Sequence, residues 1–204
     1  MTPALMDPAL QRWLPELAIA AALAWGAGIR LYAMLLLVGL AGAMGWIELP
    51  SHLRVLAHPM VMGASGFMAI VELLADKVPW VDSLWDTLHT VIRIPAGAAL
   101  AASVFVDCGA AVAVAAAILG GTLTAGTHFT KAGTRGVANT SPEPFSNWAL
   151  SLAEDAMVPA GLLLAFTHPM LFLALLALAI LGGFFFLRWI AGGVSALLRR
   201  LRPI

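Results

Sequence analysis

The chain has 204 residues, 61% of them hydrophobic and 11% charged, with a formal net charge of zero and a mean hydropathy of +0.93. A soluble domain carries about 25% charged residues, so water is not the main solvent here. Zero net charge also gives no bulk attraction to nucleic acid.

The length suits a single membrane domain over 1–204, without a second soluble one. The single Cys108 lies in an apolar run, which excludes an intrachain disulfide and a cysteine-based zinc cluster. The start lacks a basic region followed by a short apolar core and a small-residue cleavage site, so no cleaved signal peptide is read.

A span needs about 20 mostly apolar residues. The first apolar segment, 14–46, is too long for one, at roughly 50 Å by helical rise. Gly26, Gly28 and Arg30 make a natural place for a break, so a half-helix followed by a span over 31–46 is expected, with one tilted helix as the alternative. The second span starts at His58, with Pro59 at the first helical position, and runs to Asp76, Lys77 and Pro79. Residues 81–93 follow as a short amphipathic helix. Val81, Leu84, Trp85, Leu88 and Ile92 share one face, and Asp82, Asp86, His89 and Arg93 the other. Such a helix is expected to lie at the membrane interface with its polar face exposed.

Ala-rich 96–119 reads as a third span, central because small residues let helices approach closely. Gly120 and Gly121 read as a tight turn into a more polar fourth span, 122–135, and a loop over 136–140. Ser141, Pro142 and Glu143 have the chemistry of a helix start for the fifth span, which ends near Phe166. The sixth span is 170–187, followed by a basic tail over 191–204 with Arg199, Arg200 and Arg202.

The basic residues set the expected topology. With a cytoplasmic N-terminus, Arg12, Lys77, Arg93, Lys131, Arg135 and the tail arginines all fall inside, and only Arg54 falls outside. The positive-inside rule favours that orientation, with both termini cytoplasmic.

Two stretches echo each other. Ala27-Gly28-Ile29-Arg30-Leu31 resembles Ala125-Gly126-Thr127-His128-Phe129, and the spacing from Ala69 to Pro79 matches that from Ala149 to Pro159, with Glu72 in the first stretch and Glu154 in the second. Spans in the two halves would run in opposite directions. The pattern reads as a 3+3 inverted-topology repeat, about 14–119 and 120–190, the ground plan of many secondary transporters.

Four runs carry a resemblance to a known family. They are Gly28-Ile29-Arg30-Leu31-Tyr32, the run from Val71 to Pro79, Asp82-Ser83-Leu84-Trp85-Asp86 with His89-Thr90, and the run from Asn139 to Trp148. Together they resemble the bacterial integral-membrane family called domain of unknown function 4126. That resemblance implies a multi-span bacterial inner-membrane protein and no particular chemistry.

A charge at bilayer depth costs at least about 2.5–3.5 kcal/mol, so such groups usually face protein or water and are functional suspects. Arg30, Glu72, Asp76, Lys77, Asp107, His128, Lys131, Glu154 and Asp155 form the candidate intramembrane site. Arg30 is expected to pair with Glu72 or Glu154, and Asp107 is read as a lone carboxylate in mid-span. Asp82, Asp86 and His89 have a spacing that fits a metal, but the exposed polar face explains it better. No phosphate loop, His-Glu-x-x-His motif or Gly-x-Ser-x-Gly elbow is present, so no enzyme, cofactor or metal site is expected. The expected partners are the lipid bilayer and a small ion or solute, with homo-oligomers left open. Function is read as a small proton- or cation-coupled transporter or channel, the alternative being a scaffold, assembly factor or lipid-interacting subunit.

Overall fold

The computed structural model describes residues 8–140 and 145–201, and every regular element among them is helical. The long helices are α1 (Pro8–Ala43), α2 (Pro59–Ala75), α3 (Pro79–Val104), α4 (Ala110–Ala138), α5 (Phe145–Thr167) and α6 (Pro169–Leu201). Short 3-10 helices, Ser51–Ala57 and Val106–Cys108, lead into α2 and α4. α1, α3, α4, α5 and α6 each contain a stretch long and apolar enough to cross a membrane. Ser51–Ala57 and α2, bent by 66°, count as a sixth span if taken together.

α1 is the hub, packing against each of the other five helices. Its small residues Ala18, Ala22, Ala24 and Ala27 are buried, as are Leu23, Leu31 and Met34. The helix breaks where the glycines suggested. Arg30 has φ −140° and ψ 79°, outside the helical region. Side chains of α4 donate to carbonyls along this part of α1: Lys131 Nζ to Ile29 O at 3.2 Å, beside the break, and Thr124 Oγ1 to Ala24 O at 2.8 Å, before it. α4 can come this close because Gly28 has no side chain; a methyl there would overlap Thr127 Oγ1 and lie 2.7 Å from Thr124 O.

α2 opens as its sequence indicated. The His58 side chain accepts a hydrogen bond from Met60 N, and Pro59 takes the first turn.

Several expected boundaries are corrected. Residues 81–93 are not a separate interfacial helix; they are the first half of α3, which runs on to Val104. The supposed third span 96–119 is cut by a turn at Phe105–Gly109, where Gly109 adopts φ +100°, a conformation that suits glycine. Gly120 and Gly121 are no turn. They are buried inside α4, facing α3, where a methyl on Gly120 would run into Ala101 Cβ and lie 3.2 Å from Gly97 O. A glycine pair in an Ala-rich run looks the same in sequence whether it turns the chain or lets two helices touch. The fourth span therefore begins well before 122, and the repeat boundary placed at 119/120 falls in mid-helix. Ser141, Pro142 and Glu143 lie outside the described residues. The basic tail from 191 is not a separate segment, since α6 continues through it to Leu201; Arg202 lies outside the described residues.

The surface and interior are reversed relative to a soluble protein. Phe67, Ile70, Ile118, Leu163 and Leu178 point outward, while Arg30, Glu72, Asp76, Arg93 and Arg135 are buried. Backbone polar groups satisfied within helices, and charges kept inside, suit a hydrocarbon surrounding.

Candidate functional site

One continuous cluster of charge fills the interior between α1, α2, α3, α4 and α5. It begins at Glu72, on the buried face of α2. Glu72 Oε1 meets Arg93 Nη2 at 2.5 Å, and Arg93 Nη1 donates to Asp86 Oδ1 at 2.8 Å, one guanidinium thus joining carboxylates from α2 and α3. The same Nη1 lies 3.2 Å from His128 Nδ1. A guanidinium only donates, so Nδ1 must be the accepting nitrogen. Neutral His128 then carries its proton on Nε2, which lies 2.7 Å from Thr90 Oγ1; the hydroxyl in turn donates to Asp86 O at 2.9 Å.

Asp76, at the end of α2, is the second centre. Arg30 Nη1 reaches it at 2.5 Å, and Lys131 and Arg135 at 3.2 Å each. Three cations from α1 and α4 thus converge on one fully buried carboxylate. Arg135 also binds Glu154 at 2.8 Å and donates to Asn147 Oδ1 at 2.6 Å. Arg30 also meets Asp155 at 2.9 Å, Ser151 Oγ at 3.0 Å and, more distantly, Glu154 at 3.7 Å. Lys131 ties the two centres together, lying 3.5 Å from Asp86 and 3.6 Å from Glu154.

The expected partnership of Arg30 with a glutamate is therefore present only at the long contact to Glu154; its closest partner is Asp76. Glu72 belongs to Arg93. The face expected to be exposed on an interfacial helix is inverted: Asp82, Asp86, His89 and Arg93 are all buried, while Val81, Leu84, Leu88 and Ile92 are exposed. The amphipathic pattern is real, but where the surroundings are apolar it is the polar face that turns inward. His89 stacks on Trp85 and sits 3.2 Å from Tyr32 Oη. Among the described residues, no group of three or more His, Cys, Asp and Glu is arranged to hold a metal ion.

Asp107 is excluded from the site. Its side chain is 74% exposed in the α3–α4 turn, where it accepts from Ser51 Oγ at 2.9 Å and lies 3.5 Å from His52. An aspartate in an apolar run suggests burial, but the helix break puts it at the bundle end. Lys77 is marginal, its ammonium donating back to Leu73 O at 3.3 Å.

Arg135, Asn147 and Ser151 were missed as site residues. Their spacing carried the signal: His128, Lys131 and Arg135 follow an i, i+3, i+7 pattern, and so do Asn147, Ser151 and Glu154 at i, i+4, i+7. Because Arg93, Lys131 and Arg135 are engaged in the interior, they no longer count as loop charges for orientation.

A cleft of about 350 Å³ between α3 and α4 leads to this interior, lined by Ser83, Asp86, Thr87, Thr90, His128 and Arg135 among others. The chain matches the model of the family described as domain of unknown function (DUF4126) over residues 17–189. It belongs to that family. The DUF4126 match takes in every residue of the charge cluster, from Arg30 to Asp155. No curated protein matches the chain, and no solved structure does. The family description carries no activity, so the DUF4126 cluster has to be read from its own geometry.

Proposed function

We propose that this DUF4126 protein is a small proton- or cation-coupled transporter or channel of the bacterial inner membrane, with the buried charge cluster as its site. The observation that carries the reading is a surplus of acid. Five buried carboxylates, Glu72, Asp76, Asp82, Asp86 and Glu154, share one network with four permanent cations, Arg30, Arg93, Lys131 and Arg135, and the half-buried Asp155 joins it at the edge. Fully ionised, the buried groups would hold one uncompensated negative charge in a low-dielectric interior. Taking up protons or a small cation relieves that cost. The α3–α4 cleft supplies an approach to Asp86 and His128 from outside.

The 3+3 inverted repeat belongs to this reading. Arg30 and His128 are matched positions of the two halves, Glu72 and Glu154 fall within the matched Ala-to-Pro stretches though not at the same step, and all four side chains are buried in the same network. Lys77, Arg12 and the tail arginines favour cytoplasmic termini, against Arg54 on the other side. The partners are lipid and a small ion or solute, and no bond-making chemistry is assigned.

A purely structural role is the second reading, favoured by close ion pairs that link α1 to α5 and α2 to α3. Reconstitution into liposomes separates the two. Transport predicts a flux of protons or small cations that Glu72→Gln, checked for correct folding, abolishes. A folded wild-type protein that moves none of the ions screened supports the scaffold.

A further inference from the structure

Asp82 stands apart from the other five carboxylates. Those five each hold a cation at 2.5–2.9 Å. The Asp82 side chain is fully buried, yet neither Oδ1 nor Oδ2 has a hydrogen-bond partner among the described residues. Its nearest cation, Arg135 Nη1, is 4.0 Å away and already donates to Asn147 Oδ1 and Asp76 O. The other charged groups acting on it are Lys131 on α4, Asp76 at the end of α2 and Asp86 one turn along α3. Two cations attract its charge and two carboxylates repel it, so the surroundings do not rescue an anion there. A buried ionised carboxylate without a close partner is costly; the same group with a proton is neutral.

Asp82 itself is shut off from the α3–α4 cleft, but two of its neighbours reach it. Asp86 and Arg135 both line the α3–α4 cleft. Asp86 engages Arg93 and Lys131 through Oδ1, while its Oδ2 has no hydrogen-bond partner. We infer that Asp82 is the proton-binding residue of the cluster, exchanging its proton with the α3–α4 cleft by way of Asp86. A hydronium ion in the cleft gives its proton to Asp86 and leaves as water; the proton then moves to an Asp82 oxygen one helical turn away, returning Asp86 to its ionised, Arg93-bound form. Release runs the same steps backwards, and no bond other than O–H is made or broken. The inference rests on the reading that the cluster exchanges a cation with the outside, and it narrows that cation to a proton.

Infrared spectroscopy of the full-length purified protein tests the proton itself. At neutral pH the wild type should show a protonated-carboxyl stretch that shifts on aspartate-selective 13C labelling. The band should vanish in Asp82→Asn, or in Asp82→Ser should the first variant not fold, and persist in Asp107→Asn. A wild type without such a band, a band that ignores aspartate labelling, or one that survives in the Asp82 variants overturns the inference. Liposome flux separates it from the broader reading. Proton flux in the wild type should be lost in Asp82→Asn; flux that this variant leaves unchanged overturns the Asp82 assignment while leaving transport standing. A wild type that moves no ions overturns the transport reading, and the infrared band still decides whether Asp82 holds a proton.

Discussion

Arg93 and Glu72 meet at 2.5 Å with both side chains shut away from the exterior, and this pair fastens α3 to α2. The two helices otherwise touch little, because α2 packs chiefly on α1. Arg93 also holds Asp86 and His128, so one guanidinium organises groups from three helices.

Replacing Arg93 with alanine strands Glu72 as a buried anion and leaves Asp86 only the longer contact to Lys131. The expected loss is about 3–5 kcal/mol, read as a shift in chemical unfolding in detergent. The double change Glu72→Gln with Arg93→Gln should recover part of it, since two neutral amides need less compensation. Arg54→Ala, on an exposed side chain beside Leu49 O, should stay within about 0.5 kcal/mol. Equal losses for Arg93→Ala and Arg54→Ala would contradict the network.

The contact between α1 and α4 gives a steric prediction. Gly28→Ala places a methyl against Thr127 Oγ1 and the Thr124 carbonyl, and overpacking of this kind costs about 1–3 kcal/mol. Gly126→Ala, also within a helix but with open space around it, should be neutral or stabilising by up to about 1 kcal/mol. A Gly28→Ala protein as stable as Gly126→Ala would show that α1 and α4 are not so close.

Asp76 is the carboxylate on which Arg30, Lys131 and Arg135 converge. Asp76→Asn leaves those three cations short of their shared anion, and the expected loss is about 3–5 kcal/mol, read as a shift in chemical unfolding in detergent. Asp107→Asn, on an exposed side chain, should stay within about 0.5 kcal/mol. An Asp76→Asn protein as stable as Asp107→Asn would remove Asp76 as a centre of the network.

Cys108 is exposed in the α3–α4 turn and is the chain's single cysteine. With cytoplasmic termini this turn lies on the opposite side, so a membrane-impermeant maleimide should label it in intact cells without permeabilisation. Labelling that appears only after permeabilisation would reverse the proposed orientation.

The sequence by itself determined that the chain is a bundle of apolar helices with charges held inside it. The reason is local and additive: a bilayer-length helix needs a run of apolar residues, and each run can be read without its neighbours. The break at Arg30 and the start of α2 at His58 and Pro59 were legible on the same ground, since glycine and proline act on their own stretch of backbone. The inward face of α3 was visible as a pattern but assigned to the wrong side, because periodicity shows that two faces differ and not what covers each one. Only the tertiary structure decided that Gly109 turns the chain while Gly120 and Gly121 let α3 and α4 touch. It also decided that Asp107 lies outside the cluster while Arg135 lies within it, and that Arg30 joins Asp76 more closely than either glutamate. Those choices depend on which helices lie side by side, and pairing energies between charges fall with distances that the order of residues along one helix does not contain.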